Sequence, residues 1–368
     1  MKNDTKNIVV TVLFITILSG FMLTNIIIPD NKFSISERRK LKNVPEYTFD
    51  RLLSGDFFDD YEKYYLDQFV VRDYFRSLKA YFKYYGLAQK ENNDIYIINN
   101  NNINKINYPL NEKSVLNGAK KLNEVYEKYL KGKDVYYSII PDKNFFVAAS
   151  NGYPAIDYNK MIDIMSQNVQ NMRYIDIFDS LTIDDYYYTD IHWRQERIID
   201  IADIILSELG NSTIASSIAY KENKHYPFYG SYYGQAAVKV RPDTLVYLTN
   251  EIIENASVYD YVSGTNKKVY IPELFNGMDP YDLFLSGAMP LLTISNPDCK
   301  TEKELILFRD SFGSSLAPLL IAGYSKITLV DLRYISTDIL DDFIDFTKAQ
   351  DVLFLYNTQI LNNSYMLK

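Results

Sequence analysis

Between residues 305 and 355 the chain alternates short apolar runs with helical ones, and this restricts the fold more than any other feature. The runs at 305–308, 327–330 and 352–355 are too short for helices, and they read as strands buried on both faces. The spacing between them predicts helices over 315–322 and 338–349. Two consecutive strand–helix–strand units imply a parallel sheet with right-handed crossovers, to which 135–140 adds a strand. In α/β folds of this kind, chemistry sits at the carboxyl ends of the strands. Arg309-Asp310-Ser311-Phe312 occupies such an end. A turn there lifts a hydroxyl clear of the sheet, and the helix N-terminus aims N–H groups at developing negative charge. Ser311 is therefore either a nucleophile or a helix N-cap.

Ile8 to Ile28 is a run of 21 residues without a charge, and about 20 apolar residues span a bilayer. It is too long for a typical signal-peptide core, and no small-x-small cleavage site follows, so it reads as an uncleaved anchor. The predicted layout is a membrane anchor over 1–30 and a helical juxtamembrane segment over 31–90. An α/β domain follows over 91–368, with an irregular, partly β insertion at about 211–300. The juxtamembrane spacing predicts helices over 49–66, broken at Gly55, and over 74–85. Further on it predicts strands at 94–98 and 174–177, a turn at 99–102, and helices over 115–130, 161–172 and 195–209. Within the insertion, 244–248 and 268–271 are strand-like. A net charge of −8 argues against a nucleic-acid partner. Cys299 is the only cysteine, which excludes a disulfide framework or a Cys-based metal site within one chain.

A serine nucleophile needs a base, and the chain has only two histidines. His192 lies in Asp190-x-His192 beside the sole tryptophan, Trp193. A carboxylate two residues ahead can hold one ring nitrogen and leave the other free to take a serine proton. The same segment also reads as a helix start, with Thr189 or Asp190 as N-cap. His225, in a loop without a nearby carboxylate, reads as a surface or structural histidine. Catalytic zinc requires three protein ligands, so no metal is assigned, and no cofactor is expected. The Ser311 backbone N–H and Asn357 are candidate oxyanion donors, with Asn357 equally a turn former. Arg309 and Asp310 either brace the serine turn or face solvent. Lys143 either contacts an anionic glycan or is a solvated loop lysine. Trp193 is a candidate substrate contact.

Several blocks in order resemble the DHHW protein family and, more distantly, the SGNH-hydrolase-like proteins of bacterial alginate O-acetylation. They are Ser36-Glu37-Arg38-Arg39-x-Leu41 with Pro45, Asp67-Gln68-Phe69 with Arg72-Asp73, Ile140-Pro141-Asp142-Lys143, Thr189-Asp190-Ile191-His192-Trp193, Phe228-Tyr229-Gly230-Ser231, Tyr281-Asp282-x-Phe284-x-x-Gly287-x-x-Pro290-Leu291 and Arg309-Asp310-Ser311-Phe312. One departure is Ile191, where the family's signature has its first histidine. The resemblance implies an SGNH-hydrolase-like sheet flanked by helices and a Ser311–His192–Asp190 triad. It further implies an anchored extracytoplasmic body that transfers acetyl to, or removes it from, a surface polysaccharide. A membrane-bound O-acyltransferase is the expected partner by that analogy, and a non-catalytic glycan-binding or scaffold role beside it is the alternative. The flanking charges point the other way on orientation. Lys2 and Lys6 precede the span, while Lys32, Arg38, Arg39, Lys40 and Lys42 follow it, which by the positive-inside rule puts the body in the cytoplasm.

Overall fold

The computed structural model describes residues 2–99 and 101–368. It divides into two units: Met1–Asn92 with Gly234–Lys239, and Asn93–Tyr233 with Val240–Lys368. In the first, helix α1 (Lys2–Ile27) is long and apolar enough to cross a membrane, and none of its apolar window is buried. It is a candidate membrane anchor or signal sequence. Helices α2 (Phe49–Ser54) and α3 (Asp56–Gln68) are split at Gly55, whose φ of 89° is the left-handed conformation that favours glycine. Helix α4 (Arg72–Tyr81) continues into a wider turn over Phe82–Gly86.

The second unit is built on an eight-stranded sheet: β1 (Val135–Ile140), β2 (Arg173–Ile175), β3 (Ser257–Asp260), β4 (Thr265–Lys267), β5 (Leu291–Ser295), β6 (Glu304–Arg309), β7 (Lys326–Val330) and β8 (Gln350–Asn357). The strand order is β4-β3-β5-β7-β6-β8-β1-β2. Strands β7, β6, β8, β1 and β2 are parallel, and β5, β3 and β4 extend the β7 edge antiparallel. Alternation along the central strands divides two cores. Leu305, Leu307, Leu353 and Leu355 face one, with Ala202 and Ile205 of helix Ile199–Glu208 and Leu316 and Leu319 of helix Gly313–Leu320. Ile306, Phe308, Val352 and Phe354 face the other, with Val115 and Leu122 of helix Glu112–Val125 and Met161 and Met165 of helix Tyr158–Asn168. Phe308 stacks on Phe354 across the strands, ring centroids 4.4 Å apart. This is the expected α/β sheet flanked by helices, with every parallel strand ending at the same edge.

Several elements differ from the sequence expectation. Residues 338–349 form a short 3-10 segment, Thr337–Asp342, and then an irregular stretch. Leu340 and Ile344 are buried as helical spacing requires, but the Asp345 carboxylate accepts the Thr347 N–H at 3.0 Å, a local turn that competes with helix. The insertion is not separate from the sheet: β3, β4 and β5 come from it. Its strand Asp243–Thr249 pairs instead with Lys221–Phe228 in a two-stranded sheet. The run 268–271 forms only an isolated bridge, Tyr270 to Phe284. Strand Ile95–Ile98 pairs with Asn102–Lys105; the turn expected at 99–102 includes Asn100, which lies outside the described residues. The helix expected over 161–172 runs instead from Tyr158 to Asn168, with the Asp157 carboxylate accepting the Lys160 N–H.

Candidate active site

Ser311 follows β6 directly, and helix Gly313–Leu320 begins two residues later. Gly313 permits this tight approach, since an added Cβ would lie 2.7 Å from Arg309 Cβ. The buried Asp310 carboxylate locks the turn: Oδ1 accepts the Phe312 N–H at 2.9 Å, and Oδ2 accepts the Asn357 N–H at 2.7 Å from the end of β8. Burial pushes the Asp310 carboxyl above its ordinary value, and the two N–H donors oppose that. Arg309 is fully buried beneath, with Nη1 3.7 Å from Asp331 Oδ2 and 3.3 Å from the Asp310 carbonyl. It braces the turn and does not face solvent.

His192 Nε2 lies 2.7 Å from Ser311 Oγ, and His192 Nδ1 lies 2.6 Å from Asp190 Oδ1. A carboxylate only accepts, so Nδ1 is the donor and Nε2 is left to accept the serine proton. Asp190 Oδ1 also accepts the His192 backbone N–H at 3.0 Å, and Oδ2 accepts the Ser231 N–H at 2.5 Å. Asp190 is fully buried and His192 nearly so, whereas Ser311 is half-buried and open to a ligand. Neither Asp190 nor Thr189 starts a helix; the next helical turn is Gln195–Arg197.

The Tyr281 ring lies flat on the imidazole, centroids 3.8 Å apart and planes 5° apart. Its hydroxyl donates to Ser315 Oγ at 2.8 Å, which also accepts from Trp193 Nε1 at 2.9 Å. The ring plane of the histidine is thereby tied to the helix that follows Ser311. Trp193 is completely buried in this role, so it is a brace and not a substrate contact. Asn357 is corrected in the same way. Its amide donates to the Ile140 carbonyl at 3.1 Å, and its Oδ1 accepts the Gln359 N–H as the cap of a short helix. The side chain is therefore no oxyanion donor.

The loop carrying Asp190 is fastened from three sides. Asp243 accepts from the Tyr188 N–H, the Thr189 N–H and the Thr189 hydroxyl at 2.9, 2.8 and 2.6 Å. Gly230 lies so close that an added Cβ would sit 2.3 Å from the Thr189 carbonyl and 2.4 Å from Asp190 Cα. Lys143 supplies the third tie. It is buried, with Nζ donating to the carbonyls of Ile103 at 2.7 Å, Tyr187 at 2.8 Å and Tyr188 at 3.1 Å, and 3.3 Å from that of Asp190. Its ammonium is thus turned inward, away from solvent, and it is no solvated loop lysine. Its place in the first turn of a short helix, Lys143–Val147, after the Asp142 cap carries it inward. Asp243 gave no local signal, and Tyr281 stood in the sequence only as part of a family-like block; their roles come from tertiary contact. His225 stands on strand Lys221–Phe228, not in a loop, and packs between Tyr247 and Phe275.

Burial pushes the Lys143 ammonium down to about 7, against the pull of Asp243 and Asp190. An unfolded lysine titrates near 10.4, so between about pH 7 and 10 the unfolded chain holds the extra proton and this group's contribution to stability rises with pH. Urea unfolding at pH 6.5, 8 and 9.5 is expected to show the wild type gaining on Lys143→Met as pH rises. A constant difference would mean that the amine stays charged inside its ring of carbonyls.

The DHHW family model matches residues 128–330. No curated protein matches the chain in sequence. Among solved structures, a DHHW family protein from Eubacterium siraeum superposes with a TM-score of 0.61 at 19% identity, covering 75% of this chain and 94% of that one. PatB1 of Bacillus cereus, solved with a sulfonyl adduct, superposes with a TM-score of 0.57 at 17% identity, covering 73% of this chain and 97% of that one. At such identities the likeness is one of fold, and it extends across most of both relatives. With a family match over more than half of its length, including both Asp190-x-His192 and the serine turn, the chain belongs to the DHHW family.

Proposed function

We propose that this protein is a membrane-anchored, extracytoplasmic serine acyltransferase or esterase that moves acetyl groups on a surface polysaccharide. The observation that carries the proposal is the relay Asp190–His192–Ser311, with a half-buried hydroxyl at a strand end and a buried carboxylate behind the base. Ser311 Oγ attacks the acetyl carbonyl as its proton passes to His192 Nε2. Asp190 stabilises the imidazolium, and the Ser311 backbone N–H, which makes no hydrogen bond within the protein among the described residues, is the proposed donor to the oxyanion. Collapse breaks the bond to the leaving oxygen, which takes the proton from His192, and leaves acetyl-Ser311. A sugar hydroxyl or water then loses a proton to His192 and attacks the acyl carbon, regenerating the serine.

The acetyl group, the glycan, the extracytoplasmic side and the acyltransferase partner come from the family resemblance. The chemistry of the relay rests on its own contacts of 2.6 and 2.7 Å. The adduct on the PatB1 fold suggests a direct experiment. Incubation with a sulfonyl fluoride is expected to add one sulfonyl group, which peptide mass spectrometry assigns to Ser311, and His192→Ala abolishes the labelling. A label elsewhere, or none, would leave a tethered glycan-binding or scaffold domain.

A further inference from the structure

Helix α4 and the turn after it carry their apolar side chains on the outside. Tyr74, Phe75, Leu78, Tyr81, Phe82 and Tyr85 follow one helical face, and all six are exposed, Tyr74 at 79% and Leu78 at 65%. The other face is held within its own unit. Ala80 is fully buried, Arg72 and Arg76 pair with Glu37 at 2.7 and 3.2 Å, and Arg76 also donates to the Gly234 carbonyl at 2.7 Å. Helix α3 likewise exposes Phe58, Tyr61, Tyr65 and Leu66. Water-facing helices have the reverse arrangement, and an exposed aromatic stripe this long marks an interaction surface.

The same unit indicates what covers the stripe. Phe21, inside the apolar span, stacks on Phe69 at 5.5 Å and meets Phe75, itself a member of the stripe, edge-on at 5.9 Å. Asn25 Oδ1 accepts the Val70 N–H at 2.8 Å. Phe21 lies six residues before the end of α1 at Ile27, about 9 Å along the axis at 1.5 Å per residue. Interfacial helices bury their apolar face about 5–10 Å into the headgroup and acyl boundary, and tyrosine is enriched at that level. We infer that α3, α4 and the following turn form a collar seated in the bilayer surface around the exit of α1. The collar rests on the anchor reading but not on which side of the membrane the body lies.

The test uses the full chain in phospholipid vesicles, with Cys299→Ser as background and single cysteines carrying an environment-sensitive fluorophore. Tyr74→Cys, Leu78→Cys and Phe82→Cys probe the collar, Leu18→Cys the span, and Lys120→Cys the solvent. Collar sites are expected to emit to the blue of Lys120→Cys and to lose at least half their intensity to lipids spin-labelled near the headgroup. Leu18→Cys responds instead to lipids labelled deep in the chain. Water-like collar sites beside a lipid-buried Leu18→Cys would overturn the collar and keep the anchor. Blue-shifted collar sites that no spin-labelled lipid quenches would mean protein contact, a second copy, and overturn it too. A water-like Leu18→Cys would remove the anchor and the collar together.

Discussion

Ser311→Ala is expected to lower turnover of an activated acetate ester by at least about 10³-fold while leaving the fold intact. The hydroxyl is the end of the relay open to a ligand, 2.7 Å from an imidazole nitrogen that the buried carboxylate keeps as an acceptor. Removing it takes away the attacking atom and one hydrogen bond to the buried His192 Nε2, worth about 0.5–1.5 kcal/mol, so the melting temperature should fall by no more than a few degrees. The turn itself is held by Asp310 and by the buried Arg309, neither of which touches the serine hydroxyl. His192→Ala should cost about as much, and the double variant no more than either single one, because groups acting as a unit are not additive. Unchanged turnover in Ser311→Ala, with the protein folded, would leave Ser311 as a structural residue at the start of a helix.

The meeting of Asp190, His192 and Ser311 was legible in sequence because each half carries its own local signal. Asp190-x-His192 is a compact carboxylate–imidazole pair, and with only two histidines the search for a base was short. Ser311 follows an apolar run that can only be a buried strand. The surroundings were not legible, because burial reverses what a residue's type suggests. Lys143, read as a glycan contact or a solvated loop lysine, lies inside a ring of backbone carbonyls, and Arg309 and Trp193 are completely buried. Tyr281 and Asp243 act across about 90 and 50 residues of chain, through contacts that periodicity does not encode. The sheet shows the same division. The apolar parallel strands could be read one by one, but β3, β4 and β5 were hidden in a stretch of glycines and turns. Their place on the sheet depends on pairing with β7 rather than on their own composition.

Asp190→Asn should separate catalysis from packing, since it preserves the shape of the side chain. Both oxygens of Asp190 accept: Oδ1 from the His192 ring and backbone N–H, Oδ2 from the Ser231 N–H. An amide has to place its NH₂ at one of these positions. Set toward His192, it turns Nδ1 into an acceptor, moves the ring proton to Nε2 and leaves no base for Ser311, and it also sets a donor against the His192 backbone N–H. Set toward Ser231, it keeps the right tautomer but puts donor against donor across a buried contact of 2.5 Å. That costs about 1–3 kcal/mol of loop stability. Either orientation also takes the negative charge from behind the imidazolium. The expected fall in kcat is on the order of 10³–10⁴, with at most a few degrees lost in Tm. Kinetics and thermal unfolding on the same preparation decide the role of Asp190. Lowered stability with undiminished kcat would show a carboxylate that only holds its loop to Ser231, and the proton relay would then have to be abandoned.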